Sequence, residues 1–375
     1  MMKRNSVVRS GKLENQVMAA FDIGGTNTRV QVIQKNNLSI DIPLEKDIFE
    51  LRISSKDKLK KLIQELVFIR WKKFCLKQCV LDFAGPVLNH QSVRMSNWKG
   101  SPVIKMDELI EWGLPRNCTL MINDIEAASF GILSLIETNQ LSSAGCSILY
   151  EPDKPISQIK QSNNMILLMP GTGLGTAGLV SIMDKIGKVI YKPIASEIGH
   201  APVSPINQIH EDVIHWLKNE KIIKYGWPSW EDFVSGRGLV HIYEALVNIT
   251  NPLPSEIIKW KKDEDGAPII ARAAIQQMDK LSEKALELFF RCTGKIAQIL
   301  ALAYQPFGGI FLCGGVIRKN QSFIPESGFL EELHGNATQS NLLKMFPVYV
   351  VTKKNLNIIG NLWAARNQIK GNYLA

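Results

Sequence analysis

The stretch Val17-Met-Ala-Ala-Phe-Asp22-Ile-Gly-Gly-Thr26-Asn-Thr-Arg-Val30-Gln-Val-Ile33 decides the fold. Apolar residues run unbroken from Val17 to Phe21, Asp22 and Gly24-Gly25 interrupt them, and Val30 and Val32 then alternate with an outward Gln31. A strand, a tight glycine turn and a second strand make a β-hairpin. Glycine at such a turn lets backbone N–H groups approach an anion and tolerates φ > 0. A single Gly-Gly turn is weak evidence, because most are merely tight turns. Two more follow apolar strands in this chain. Gly171-Thr-Gly-Leu-Gly175 joins Met165–Met169 to Gly178–Ile182 as a second hairpin, and Gly314-Gly315 follows Ile310–Cys313.

The segments between these turns alternate in period. Lys56–Phe74 has helical spacing, Gln78–Ala84 reads as a buried strand stopping at Gly85-Pro86, and Thr119–Ile122 is a strand running into Asn123-Asp124. Glu126–Ile136 then continues as a helix. The clearest helix is Leu281–Tyr304, where Leu281, Ala285, Leu288, Phe289, Cys292, Ile296, Ile299, Leu300 and Ala303 fall on one face. The Lys- and Asp-rich segment Trp260–Ala267 reads as an exposed loop. Strands that lead into helices through glycine turns predict an α/β fold. No repeat of about 20–50 residues is visible.

Composition narrows the function classes. A chain of 375 residues has room for two domains, and 45% hydrophobic with 21% charged residues is a globular balance. No apolar run approaches the roughly 18 residues of a membrane span, so no membrane partner is expected. Residues 1–16 are polar and basic (Lys3, Arg4, Arg9, Lys12) with no signal-peptide core, and read as a flexible leader. The net charge of +9 is spread along the chain, densest at Lys56–Lys73. No basic run is interleaved with aromatics for stacking, so nucleic acid is not an expected partner. The cysteines form no C-x-x-C pair; Cys75 and Cys79 could share a helix face, but two thiols make no metal site. Reduced cysteines suit a cytoplasmic protein.

Other nucleotide folds fit poorly. No glycine is followed by Lys-Ser or Lys-Thr, so the Walker motif is absent. Gly171-x-Gly173-x-x-Thr176 approximates the dinucleotide fingerprint but carries Thr at its third position and leads into a strand. What fits is an ordered set: Asp22-x-Gly-Gly-Thr26, Ala84-Gly85-Pro86, Asn123-Asp124, Gly171-Thr-Gly-x-Gly175 and Gly314-Gly315. In that order it resembles the actin, heat-shock chaperone and sugar kinase superfamily. Met95-Ser-Asn-Trp98, Glu197-Ile-Gly-His200 and Ser229-Trp-Glu-Asp-Phe-Val-Ser-Gly-Arg-Gly-Leu-Val240 make the chain similar to the bacterial glucokinase family, its hexokinase-like branch, from about Phe21 to Ala365.

The resemblance implies a two-lobed actin-like, ribonuclease H-like ATPase fold with a cleft between its lobes. A small α/β domain over 17–121 would be completed by 355–375, through a helix near Ile358–Gln368, and a large α/β domain would hold 122–354. It implies ATP and Mg²⁺ as cofactors and transfer of the γ-phosphoryl group to the 6-hydroxyl of glucose. Asp124 would be the general base, although its place between a strand and a helix also suits an N-cap. Asp22 would hold Mg²⁺ through water, though a turn residue capping its own backbone explains it as well. Gly24, Gly25, Thr26, Asn27, Gly171, Thr172, Gly173 and Gly175 would face the phosphates, and Gly314 and Gly315 the adenosine. Asn97, Asn123, Glu197, His200 and Glu231, with Asp124, would bind the sugar hydroxyls. A related branch pairs a histidine with cysteines for zinc, but none follows His200 through Ser204.

Against the family pattern this chain has Ser-Asn-Trp-Lys-Gly around Asn97 and Ile198 where glycine is usual, both of which bear on the shape of the sugar pocket. It also has Ile125 for phenylalanine and Arg237 for a common proline; none removes a functional group. The alternatives are a kinase for another hexose or donor, a non-catalytic sugar-binding regulator, and an actin-like assembly protein. Retained Asp22 and Asp124 argue against the second, and the Glu197, His200 and Glu231 set against the third. A homodimer is left open.

Overall fold

The computed structural model describes residues 16–25, 27–34, 48–141, 145–152, 164–183, 187, 189–220, 222–223, 226–253, 255, 257–261 and 264–367. The chain divides into two compact units, Met1–Thr138 with Asn355–Ala375, and Asn139–Lys354. The strand and helix that follow Cys118 therefore group with the first unit, so the division falls after Thr138 rather than before Ile122. The leader expected over 1–16 lies outside the described residues except for Gln16.

In the first unit β1 (Gln16–Ile23), β2 (Asn27–Gln34) and β3 (Ile48–Arg52) form an antiparallel meander. Helix α1 (Lys56–Glu65) leads to β4 (Cys75–Phe83), and a small antiparallel sheet of β5 (Val87–Leu88), β6 (Ser92–Arg94) and β7 (Val103–Lys105) follows. Helix α2 (Met106–Glu111), β8 (Thr119–Asn123) and α3 (Asp124–Glu137) complete this segment. The main sheet runs β3-β2-β1-β4-β8, with β1, β4 and β8 parallel. Residues Val17–Phe21 are buried on both faces, which explains their unbroken apolar run.

The helix expected over Lys56–Phe74 stops earlier. After α1 the backbone widens into a π turn, Leu66–Arg70, with Trp71 N donating to Leu66 O at 2.8 Å. Trp71 thereby enters the core edge-on to Phe21, 6.0 Å between ring centroids. Cys75 and Cys79 lie on β4, not on a helix, and all six cysteines are free thiols. The C-terminal helix, Leu356–Arg366, packs on α3 almost backbone to backbone. A Cβ on Gly360 would come within 1.8 Å of Ala127 O, and one on Gly131 within 2.6 Å of Leu356 O.

The second unit holds β9 (Cys146–Tyr150), β10 (Met165–Pro170), β11 (Leu174–Met183), β12 (Val189–Ser196), β13 (Gly309–Leu312) and β14 (Val348–Val351). Its helices are α4 (Gln208–Asn219), α5 (Gly236–Thr250), α6 (Gly266–Ile275), α7 (Lys280–Tyr304), α8 (Gly314–Lys319), α9 (Phe329–His334) and α10 (Ser340–Leu343). The sheet order is β12-β11-β10-β13-β14-β9. Its first five strands repeat the first unit's pattern: an antiparallel meander followed by two parallel additions.

Helix α7 starts where Asp279 accepts from the N–H groups of Leu281 and Ser282 and ends at Gln305 in the left-handed region. Its predicted stripe is buried from Ala285 to Leu300, except that Ile299 is 37% exposed; Ala303 is exposed too. The loop expected over Trp260–Ala267 ends in helix, because Asp265 caps α6. Trp260 is partly buried, its ring 2.7 Å from where a Gly266 Cβ would stand. No helix among the described residues is long and apolar enough to cross a membrane.

His210 is fully buried on α4, its ring edge-on to Phe233 at 4.4 Å, with Nδ1 accepting from Ile206 N at 3.3 Å. Burial pushes its pKa down to about 4 from 6.5. The unfolded chain then binds a proton that the folded one refuses, so stability is complete above 6.5 and falls as pH drops toward 4. The expected loss from this group is about 2 kcal/mol between about pH 7 and pH 5. Urea unfolding across that range should show it, and His210→Gln should flatten the slope; an unaltered slope would reject the assignment.

Candidate active site

In the first unit the polar residues gather where β1, β4 and β8 end side by side. Parallel register sets Asp22 opposite Asp82 and Asp82 opposite Ile122, with Asn123-Asp124 next along. The ends of parallel strands are the usual ligand face of such sheets. Asp22 pairs with Arg29 across the hairpin at 3.1 Å, and Arg29 reaches on to Glu50 at 3.0 Å. Burial raises the Asp22 pKa, and the Arg29 guanidinium opposes that rise. Gly24 N closes the turn on Asn27 O at 3.0 Å, while the exposed Asn27 side chain donates to Glu50. Thr26, also expected at this turn, lies outside the described residues.

Asn97 is exposed beside the same turn. A Cβ on Gly25 would stand 3.1 Å from the Asn97 Cβ, so the glycine admits a close neighbour. Asn123 is the N-cap of α3: its Oδ1 accepts from Ile125 N at 2.9 Å, and its Nδ2 donates to Gly85 O at 2.8 Å. The capping role weighed for Asp124 belongs to Asn123. Asp124 is the first helical residue, with Oδ1 accepting from Ile125 N at 2.8 Å.

In the second unit the hairpin turn is Gly171-Thr172-Gly173, between the paired Pro170 and Leu174. Gly171 N donates to Gly173 O at 2.7 Å and leaves Thr172 exposed at the tip; Gly175 lies within β11. Gly314 has φ of +93°, and a Cβ there would meet Met169 and Pro170 at 3.0 and 3.2 Å, so backbone and packing both demand glycine. Over Gly315 the space is open. Glu197 and His200 are brought together on one short turn, Oε2 to Nε2 at 3.5 Å, with side chains 62% and 61% exposed. Glu231 lies on another short turn, Trp230–Asp232, and accepts from Leu174 N at 2.9 Å.

A model of the family described as glucokinase matches residues 19–368. The chain belongs to the glucokinase family. A glucokinase from a Nostoc species is 30% identical over 368 residues, 93% of this chain and 99% of the relative. The structure of glucokinase from Balamuthia mandrillaris in complex with glucose superposes with a TM-score of 0.76 at 23% identity, covering 95% of each chain. That of a ROK family glucokinase from Streptomyces griseus in complex with glucose and AMPPNP gives 0.59 at 19%, covering 94% of this chain and 99% of that one. The fold is thus that of these sugar kinases.

For a glucokinase-family chain the residue that motif reading passes over is Asp82. It has no exposed surface, and burial, then the Asp22 and Asp124 carboxylates, raise its pKa well above the usual range. Asn361 of the C-terminal helix donates to Asp82 and to Phe21 O, and Asn357 adds a longer bond at 3.4 Å. The signal was present as one acid inside the apolar run Cys79–Ala84. Removing a donor from a buried acid costs about 2–4 kcal/mol. Asn361→Leu should lose that much in urea unfolding; a loss below about 1 kcal/mol would mean that Asn361 does not compensate Asp82.

Proposed function

We propose that the chain transfers the γ-phosphoryl group of ATP to the 6-hydroxyl of glucose, with Asp124 as general base. The observation carrying this is the family match over residues 19–368 combined with carboxylates at the ends of adjacent parallel strands. Phosphoryl transfer asks the protein mostly for positioning and charge stabilisation, and a carboxylate that accepts the attacking hydroxyl's proton is the remaining requirement. Asp124 suits it: the strand β8 and the Asn123 cap fix its backbone at the start of α3.

Glu197, His200, Asn97 and Glu231 are the proposed hexose contacts, and the turns at Gly24-Gly25 and Gly171–Gly173 the proposed phosphate contacts. Among the described residues no three histidine, cysteine or acidic side chains cluster to hold a metal on their own. A single carboxylate such as Asp22 fits Mg²⁺, which keeps several waters and binds mainly through substrate phosphates. Bound there, the ion would neutralise developing phosphate charge. By the same reading the enzyme acts at the entry to glycolysis in the cytoplasm.

A coupled assay with Mg-ATP and a panel of hexoses tests this. Glucose-dependent ADP release should fall by roughly 10²–10⁴ in Asp124→Ala while glucose binding persists. No turnover on any sugar, with glucose still raising the melting temperature, would instead support a sugar-binding regulator.

A further inference from the structure

Glu231 differs from the other proposed hexose contacts of its unit. Glu197 and His200 are mostly exposed, as groups awaiting a ligand would be, whereas the Glu231 side chain is only 18% exposed. Both of its oxygens meet protein donors. Oε2 accepts from Leu174 N at 2.9 Å, and Oε1 lies 3.4 Å from Arg237 Nη2. Gly173 is what admits the carboxylate, since a Cβ there would stand 2.4 Å from Oε2. The other end of the hairpin turn is tied to the same segment, Gly236 N donating to Gly171 O at 2.8 Å. Ser235 then locks that segment to α5, its hydroxyl donating to Glu231 O and accepting from Gly238 N.

Gly171-Thr-Gly173 is therefore held at both ends by residues 231–236. We propose that Glu231 is a positioning residue for the hairpin that contacts the donor phosphates, and that Gly173 lacks a side chain to admit this carboxylate rather than a phosphate. This rests on the reading of the hairpin as a phosphate site. A free three-residue turn would sample many conformations and lose entropy on binding nucleotide; one held by Glu231 has lost it in advance. Arg237 adds a charged partner on the other carboxylate oxygen, leaving Oε2 to Leu174.

The test uses the full chain without sugar. Glu231→Ala should raise exchange of the Leu174 amide and weaken Mg-ADP binding by calorimetry, each by about tenfold, the worth of one hydrogen bond. Glu231→Gln keeps an acceptor for Leu174 N and should restore both to within about twofold of wild type, which a generally damaged fold would not do. Gly173→Ala should behave like Glu231→Ala. Wild-type exchange and Mg-ADP affinity in Glu231→Ala, with only the hexose KM raised, would overturn the proposal and leave Glu231 a plain sugar contact. Absence of Mg-ADP binding in the wild type would overturn it too, there being no phosphate site to serve. Mg-ADP binding without hexose-dependent turnover would sink the proposed function alone.

Discussion

A buried acid costs free energy unless hydrogen-bond partners reach it, and Asp82 is buried completely, with its pKa raised toward the neutral form. Across the sheet Ile122 is apolar and Asp22 is another acid, to which Asp82 is itself hydrogen-bonded. The amide donors come from Asn361, 279 residues along the chain, and from Asn357 one turn before it. That requirement explains why the first unit takes the end of the chain as well as its beginning. The C-terminal helix must lie close enough to β1 and β4 for one amide to serve Asp82 and Phe21 O together. Glycines at 131 and 360 allow the approach, by letting this helix and α3 meet at backbone distance. A helix end, a strand end and the cap of α3 are thereby fixed around the acid proposed as base.

The second unit repeats the strand order of the first and solves a different problem. It contains no Asp82 equivalent in β13, where Ile310–Leu312 is wholly apolar. Order at its hairpin comes from hydrogen bonds to residues 231–236, the Glu231 carboxylate among them, which come from outside the sheet. Strand order is set by which edges pair and which connections cross over, and many side-chain patterns satisfy it. The sequence accordingly shows no internal repeat although the topology has one.

This explains what could be read in advance. The hairpin at Asp22, the strand before Asn123 and the stripe of α7 were legible because period and glycine punctuation are local. So was the pairing of Glu197 with His200, three residues apart on one turn. The end of α1 was not, since one turn bonded from residue i to i+5 is too short to break the apolar spacing that is legible over Lys56–Phe74. Nor was Asn361, whose meaning depends on a partner far away in sequence. Asn123, a sugar contact by the family resemblance, also caps α3 and ties down Gly85 through its carboxamide, and the tie to Gly85 is visible only in the folded backbone.

The glycine turns hold the more general point. A glycine at a phosphate hairpin is usually taken to make room for the ligand, but room can be needed on either side of the backbone. Gly25 lies against Asn97, Gly173 against Glu231, Gly314 is dictated by its own φ, and Gly315 alone among these faces open space. In both hairpins the missing side chain faces a polar residue of the same unit that the family resemblance assigns to the sugar. The same absence of a Cβ therefore brings a candidate acceptor contact against a candidate donor turn, once in each unit.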